Sequence, residues 1–181
     1  DPVADGPVNQ RAAERALASG TSLTSVIDFV KSRRARGWGL PVVLFTYYNP
    51  LLRMGLETFA RRAAEGGVDG VLVVDLPPEE SGEYLQALNR HGVETVFLAS
   101  PTTSPQRLTR VDRASTGFVY YVSRLGVTGQ KDQLSATVAQ ELSRVRKVVE
   151  NPVVVGFGIS TPEHVRELRP HVEGIVVGSA P

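Results

Sequence analysis

Short apolar runs alternate with longer amphipathic stretches along the whole chain. Strands are predicted from the runs of Val, Leu, Ile and aromatic residues at 41–47, 70–75, 95–98, 117–122, 152–156 and 174–177. These runs show little polar alternation, which is typical of parallel strands buried on both faces. Helical periodicity fills the gaps, at 9–19, 23–36, 56–65, 80–90, 105–113, 136–149 and 162–168. The pattern therefore predicts an α/β fold of consecutive βα units around a parallel sheet.

Two closures of such a sheet fit this order of elements, an open doubly wound sheet and a barrel. No G-x-G-x-x-G motif follows the first strand, which weakens the dinucleotide-binding form of the open sheet. Polar and glycine-rich segments follow the strand ends, where barrel enzymes place their chemistry. We expect a TIM (β/α)8 barrel, but the 181 residues are short for one, which needs roughly 250. The prediction is thus one barrel domain over residues 1–181, truncated at both ends, with about six of the eight strands.

Composition and charge exclude several classes of protein. The formal net charge is +1 with interspersed signs, so no basic face indicates nucleic-acid binding. The chain has no Cys and three scattered His residues, which offer neither a disulfide framework nor a structural zinc site. No apolar run reaches the roughly 20 residues that cross a bilayer. We expect a cytoplasmic protein that binds no metal, nucleic acid or membrane.

Two glycine-rich segments follow the last two predicted strands. They are Gly156-Phe157-Gly158-Ile159-Ser160 and Gly178-Ser179-Ala180. Glycine lets backbone N–H groups approach an anion closely, and the loops after strands 7 and 8 are the recurring phosphate site of barrels. Either segment alone is more often a plain turn, but both together predict a phosphate site.

Other candidates lie at or after the strand ends. Asp75 ends a strand and could act on a substrate, although we favour a structural role in holding neighbouring loops. Tyr120 and Tyr121 are adjacent on a strand, so one faces the barrel interior and the other the helices. The polar, glycine-punctuated segment 123–131 is either a lid or a solvated loop. An apolar pocket wall or simple core is predicted for Phe45, Leu72, Leu98 and Phe157.

Taken together, these segments resemble the tryptophan synthase alpha chain family. The matching segments, in chain order, are 1–7 (Asp-Pro-Val-Ala-Asp-Gly-Pro), 47–50, 75–81, 117–129, 156–160 and 178–180. Without a resemblance, Asp5 in the first segment is an ordinary turn or cap residue. The match runs through the chain in unbroken order, which is more specific than any single motif.

The resemblance implies a lyase that cleaves indole-3-glycerol phosphate by a retro-aldol reaction into indole and glyceraldehyde 3-phosphate, without a cofactor. Asp5 would be the catalytic residue that interacts with the indole nitrogen, and Tyr120 would help to position the substrate. Thr128 would contact Asp5 when the lid closes. The phosphate would be surrounded by Gly129, Phe157, Gly158, Gly178 and Ser179.

The resemblance also implies a partner, a tryptophan synthase beta chain in an α2β2 hetero-oligomer that receives indole through a tunnel. The family's second catalytic carboxylate is a glutamate upstream of the segment matched by residues 1–7. No residue of this chain matches it, so the chain alone is expected to be inactive. Asn9 and Arg53 also depart from the residue types that the resemblance leads us to expect.

Two alternatives remain at this point. Another phosphate-binding barrel enzyme, such as indole-glycerol-phosphate synthase or phosphoribosylanthranilate isomerase, would share the terminal phosphate loops. The synthase would need a catalytic Lys on a strand, and the six predicted strands contain none. The other alternative is a catalytically inactive module that binds phosphate and a partner.

Overall fold

Helices and strands alternate in the order that the sequence predicts. The computed structural model describes residues 7–123, 135–156, 158–159 and 161–178. Its contacts divide the chain into two units, residues 1–95 and residues 96–181. The single domain expected over residues 1–181 stays a prediction.

The first unit contains two strands and five α-helices among its described residues. The strands are β1 (Val43–Thr46) and β2 (Gly70–Val73). The helices are α1 (Pro7–Ala18), α2 (Leu23–Ala35), α3 (Tyr48–Met54), α4 (Leu56–Gly66) and α5 (Gly82–Arg90), with a short 3-10 turn at Pro78–Glu80 before α5.

In the second unit, the described residues form three helices and three complete strands. Strand β3 (Glu94–Ala99) begins at the end of the first unit and lies mainly in the second. It is followed by α6 (Pro105–Ala114), β4 (Phe118–Val122), α7 (Ser135–Val145), β5 (Val153–Gly156), α8 (Pro162–Leu168) and β6 (Gly174–Ile175).

The strands are parallel and follow one another in chain order, β1 beside β2 in the first unit and β3 to β6 in the second. Phe45 pairs with Leu72 across β1 and β2. Tyr120 pairs with Leu98 of β3 on one side and with Val154 of β5 on the other. Parallel neighbours in sequence order are what consecutive βα units produce, because each crossover returns the chain to the same end of the sheet.

Local signals in the sequence explain several helix ends. Ser22 and Ser25 form a capping box that starts α2, in which the Ser22 hydroxyl accepts from the Ser25 N–H at 3.2 Å. Helix α4 stops at Gly67, whose left-handed φ of 76° is readily adopted by glycine. Helix α6 begins at Pro105 and is capped by the preceding Ser104, whose side chain accepts from the Arg107 N–H.

Each unit has its own buried core. In the first unit all four residues of β2 are buried, and so are Leu51, Phe59 and Leu88 of the helices. In the second unit Val119, Leu142, Val153 and Val155 are fully buried. Burial of this kind, at about 25 cal/mol per Å² of apolar surface, is the main favourable term in folding. No helix among the described residues has the length and apolarity to cross a membrane.

Strands β1 and β2 are shorter than the predicted runs at 41–47 and 70–75, and three further elements differ from the prediction. Helix α3 was not predicted at all. Helix α7 ends at Val145, four residues before the predicted end at Val149, and residues 146–148 form a turn instead. Strand β6 has only two residues, although the Val176 N–H still donates to the Val155 carbonyl at 2.8 Å.

Candidate functional site

Two glycines follow the carboxyl ends of neighbouring strands in the second unit. Val155 of β5 pairs with Ile175 of β6, so the two strands leave the sheet at the same edge. Gly158 lies three residues beyond Val155, and Gly178 lies three residues beyond Ile175. Both glycines are exposed, and the backbone of Gly158 has a φ of 76°, which L side chains rarely adopt. The two segments predicted to bind phosphate therefore begin side by side.

Tyr120 lies beside these segments, on the face of β4 opposite to Tyr121. The Tyr121 hydroxyl donates to the Glu141 carboxylate of α7 at 3.1 Å, which places Tyr121 on the helix side. Tyr120 therefore faces the other side of the sheet, as the strand alternation predicts. Its ring covers Gly156 so closely that a Cβ built there would overlap the phenol oxygen and Cζ. Only glycine at position 156 leaves room for the phenol.

Ser123 holds the end of β4 against the end of β5. Its backbone N–H donates to the Gly156 carbonyl at 3.1 Å, and its hydroxyl donates to the same oxygen at 3.0 Å. Ser123 is buried, so both bonds are shielded from water. Two donors on one carbonyl fix the Gly156 peptide at the base of the first glycine-rich segment.

The predicted apolar wall divides between the units. In the second unit Leu98 is the register partner of Tyr120, so the two side chains share a face of the sheet. In the first unit Phe45 and Leu72 are partners and likewise share a face. Phe45 is 54% exposed, whereas Leu72 is 2% exposed, so a ligand would meet Phe45 more readily than Leu72.

Asp75 has a structural contact in the first unit, in line with the role that we favour for it. One of its carboxylate oxygens accepts from the Tyr48 N–H at 2.7 Å, at the first residue of α3. Because the first N–H groups of a helix have no partner within the helix, this carboxylate caps α3 and complements its dipole. Asp75 thereby ties the end of β2 to the helix that follows β1.

A pair of phenols lies next to this cap. The Tyr48 and Tyr84 rings meet edge to face with centroids 6.5 Å apart, and the Tyr84 hydroxyl donates to the Val71 carbonyl at 3.2 Å. Burial and then the nearby Glu83 carboxylate raise the pKa of Tyr48. Burial, reinforced by Tyr48, raises the pKa of Tyr84 well above that of a free phenol. Both phenols are therefore neutral at physiological pH.

Five of the predicted site residues lie outside the described residues: Asp5, Thr128, Gly129, Phe157 and Ser179. Two residues of the described site were predicted only as members of a segment, Gly156 in the phosphate segment and Ser123 in the lid or loop segment, and the contacts that they make were not predicted. The sequence places Gly156 at the end of a predicted strand and Tyr120 on the strand before it, which is the only local indication of their contact. The register that brings Tyr120 over it is a tertiary feature that no local pattern shows.

Comparison with known proteins decides the family. The family model described as "Tryptophan synthase alpha chain" matches residues 1–181, the entire chain. The chain belongs to the tryptophan synthase alpha chain family. This confirms the resemblance that the motifs indicated.

Curated relatives agree with the family model. The chain is 52% identical over 180 residues to the tryptophan synthase alpha chain of Solibacter usitatus, covering 99% of this chain and 67% of the relative. It is 49% identical over 180 residues to that of Geobacter sulfurreducens, covering 99% of this chain and 68% of the relative. The chain thus spans about two thirds of the length of these relatives.

Solved structures of the family share the fold. A tryptophan synthase α2β2 complex from Pyrococcus furiosus matches with a TM-score of 0.91 and 44% identity, over 99% of this chain and 73% of that chain. The alpha subunit from Legionella pneumophila str. Paris matches with a TM-score of 0.88 and 36% identity, over 99% of this chain and 66% of that chain. The predicted fold class is confirmed: a parallel (β/α) barrel, to which this chain contributes six strands.

Proposed function

We propose that this chain forms the larger part of a tryptophan synthase alpha-type lyase, which cleaves indole-3-glycerol phosphate into indole and glyceraldehyde 3-phosphate in tryptophan biosynthesis. The observation that carries the proposal is the family match over all 181 residues. The site agrees with it, because Gly158 and Gly178 follow neighbouring strand ends beside Tyr120. Exposed backbone at such a rim suits a phosphate, whose charge is stabilised by N–H donors.

The reaction is a retro-aldol cleavage that needs only acid–base groups. A proton is added to the ring carbon that bears the glycerol chain, and a base removes the proton of the adjacent glycerol hydroxyl. The carbon–carbon bond then breaks, the hydroxyl carbon becomes an aldehyde, and the electron pair of the broken bond restores the aromatic indole. We assign Asp5 to the indole nitrogen, where a carboxylate stabilises the positive charge that ring protonation creates.

The remaining binding roles are assigned by the sequence match and by the strand register. Tyr120 positions the substrate from the sheet face that it shares with Leu98. Phe45 and Leu72 are assigned to the apolar part of the site. Thr128 is assigned to a contact with Asp5 that closes the site. The phosphate is assigned to the backbone of Gly129, Phe157, Gly158, Gly178 and Ser179.

The proposed partner is a tryptophan synthase beta chain, in an α2β2 hetero-oligomer. The Pyrococcus furiosus structure that matches this chain is such a complex. We place the protein in the cytoplasm, where tryptophan is made from soluble intermediates. Analytical ultracentrifugation of the full-length protein with a beta chain tests the assembly, and two components that sediment independently would contradict it.

The decisive experiment is an indole-release assay on the full-length protein, meaning this chain with any residues that flank it in its gene. The wild type is expected to release indole from indole-3-glycerol phosphate, and Asp5→Asn to lose that activity. Asp69→Asn serves as a control, since Asp69 contacts Arg34 and the Val42 N–H in the first unit. Full activity in Asp5→Asn would refute the role of Asp5, and no indole release by the wild type would refute the lyase.

The 181-residue chain alone is expected to give no significant turnover. The glutamate that supplies the second carboxylate in the family is not among its residues. The same assay on this chain checks the expectation, and measurable indole formation would contradict it.

A further inference from the structure

Glu173 makes an unusual set of contacts at the start of β5 and β6. It directly precedes β6, and one carboxylate oxygen accepts from the Val153 N–H, at the first residue of β5, at 2.7 Å. The Glu173 N–H donates in turn to the Val153 carbonyl at 3.0 Å. Glu173 therefore binds both the N–H and the carbonyl of the residue that begins the neighbouring strand.

Arg146 completes this arrangement from the segment after α7. Its guanidinium pairs with the other Glu173 carboxylate oxygen at 3.1 Å and also donates to the Asn151 carbonyl at 3.0 Å. Asn151 lies two residues before β5. We call Arg146, Asn151, Val153 and Glu173 the β5–β6 clamp.

A similar arrangement recurs in the first unit, just before β1 and β2. Asp69 directly precedes β2, and one of its carboxylate oxygens both accepts from the N–H of Val42, the residue before β1, at 2.6 Å and pairs with Arg34 at 2.5 Å. The Asp69 N–H donates to the Val42 carbonyl at 3.0 Å, and Arg34 donates to the Leu40 carbonyl at 2.8 Å. We call Arg34, Leu40, Val42 and Asp69 the β1–β2 clamp.

The recurrence indicates that the clamp is a device for aligning strands and not an accidental surface ion pair. In both cases the carboxylate precedes a strand that begins with glycine, Gly70 or Gly174. In both cases the arginine lies at the end of the preceding helix or directly after it, and it also donates to a carbonyl of the connection that leads to the next strand. An isolated exposed ion pair contributes little to stability, but these carboxylates also take a backbone N–H at the edge of the ladder.

The β5–β6 clamp matters more for alignment because β6 is so short. Two residues of β6, Gly174 and Ile175, are in the ladder. A strand with few main-chain bonds is weakly fixed along its length, and a slip of one residue would turn every side chain to the other face. The contacts of Glu173 with Val153 therefore supply a large share of what holds β6 in register.

We propose that Glu173 and Arg146 are positioning residues for phosphate binding, because they set the register of the two strands whose far ends carry Gly158 and Gly178. The inference rests on the proposed function of those glycines. From Val153 to Gly156 the strand rises by roughly 10 Å, so the clamp acts from the opposite end of the strand and does not touch the phosphate. A shift of one strand along the other would change the spacing of the two glycine segments directly.

The test compares the two clamps in the full-length protein, with inorganic phosphate as the probe and calorimetry as the readout. Glu173→Ala is expected to weaken phosphate binding about tenfold, because the register that sets the spacing of the two glycine segments would no longer be fixed. Glu173→Gln keeps an oxygen for the Val153 N–H and should recover most of the affinity. Asp69→Ala breaks the matching clamp in the first unit and should lower the melting temperature while leaving phosphate affinity unchanged.

Steady-state kinetics provide a second measurement, because a loss of stability alone would not change the KM of the folded enzyme. Glu173→Ala should raise the KM for indole-3-glycerol phosphate and largely retain kcat, because the acid–base groups are untouched. If Glu173→Ala does not fold, Arg146→Gln removes the other half of the ion pair and is expected to weaken phosphate binding in the same direction.

The outcomes separate the positioning role from the phosphate site itself. Unchanged phosphate affinity in Glu173→Ala, or an equal loss in Asp69→Ala, would overturn the positioning role. Gly158→Asp should abolish phosphate binding. If the wild type and Gly158→Asp bind phosphate equally, or neither binds it, the phosphate site proposed above falls, and the positioning role falls with it.

Discussion

The phenol of Tyr120 on β4 occupies the space that a Cβ at position 156 of the neighbouring β5 would need. Tyr120 is 6% exposed, so little space remains around its ring. The Gly156 carbonyl accepts two hydrogen bonds from Ser123, one from its N–H and one from its hydroxyl. The side chain proposed to position the substrate therefore depends on the absence of a side chain at the base of a phosphate segment.

Gly156→Ala is expected to destabilise the protein by about 1–3 kcal/mol, because the new methyl group would overlap the phenol of Tyr120. The ring must turn away or the end of β5 must shift, and indole release should fall in either case. Urea unfolding and the indole assay measure the two effects.

A double-mutant cycle identifies the cause of this loss. In a Tyr120→Ala background the ring is absent, so most of the stability penalty of Gly156→Ala should disappear, with a coupling energy of about 1–3 kcal/mol. Gly82→Ala is a suitable control, since a Cβ there meets nothing within 4 Å. A penalty of equal size with and without the Tyr120 ring would contradict the contact as its cause.

Asp112→Ala is expected to lower the free energy of unfolding by about 3 kcal/mol, because it removes a buried carboxylate that accepts three hydrogen bonds. Its two carboxylate oxygens accept from the Glu150 and Asn151 N–H groups, each at 3.1 Å, and one also accepts from the Asn151 side chain at 2.9 Å. Glu150→Ala removes an exposed side chain from the same loop and should change little. Equal urea midpoints for the two variants would contradict this role of Asp112.

Asp75→Ala is expected to lower stability by about 1 kcal/mol, the usual effect of losing a helix cap. The bond to the Tyr48 N–H is lost, and the first turn of α3 should fray. Asp75→Asn retains an oxygen acceptor and should keep most of the stability. A loss of kcat in Asp75→Asn without any loss of stability would point to direct action on the substrate instead of the structural role.

Stability at alkaline pH should depend on Tyr84. Its pKa is raised by burial and by Tyr48, so the folded protein keeps the proton that the unfolded chain releases above about pH 10. The unfolded state then binds fewer protons than the folded state, and stability must fall as the pH rises through that point. Tyr84→Phe should flatten this fall, measured as the urea midpoint between pH 8 and 11. If the urea midpoint of Tyr84→Phe fell with pH as steeply as that of the wild type, this role of Tyr84 would be contradicted.

Most of the fold could be predicted from the sequence because buried parallel strands leave a strong apolar signal. The runs around Val71 and Val119 mark β2 and β4 without ambiguity. Helix α3 was not predicted because its cap comes from Asp75, 27 residues away in sequence, and no neighbouring residue indicates a helix start. Strand β6 is shorter than its apolar run because Val176 and Val177 leave the regular ladder.

The candidate site was only partly predictable for a similar reason. Glycine segments and strand ends could be located from the sequence, so Gly158, Gly178 and Tyr120 could be named as candidates, and their binding roles stay predictions. The contact between Tyr120 and Gly156 depends on register, which is set across strands. Glu173 and Arg146 resemble solvated charges in the sequence, and only the backbone groups that they bind distinguish them from such charges.

The most direct measurement is the KM for indole-3-glycerol phosphate in variants that place a carboxylate at the proposed phosphate site. Gly158→Asp and Gly178→Asp in the full-length protein should raise KM by at least roughly tenfold, because a like charge opposes the phosphate. Gly92→Asp is the matched control, since Gly92 also has a positive φ, 67°, and open space around it. If both Gly158→Asp and Gly178→Asp kept the wild-type KM, the proposed phosphate site would be contradicted.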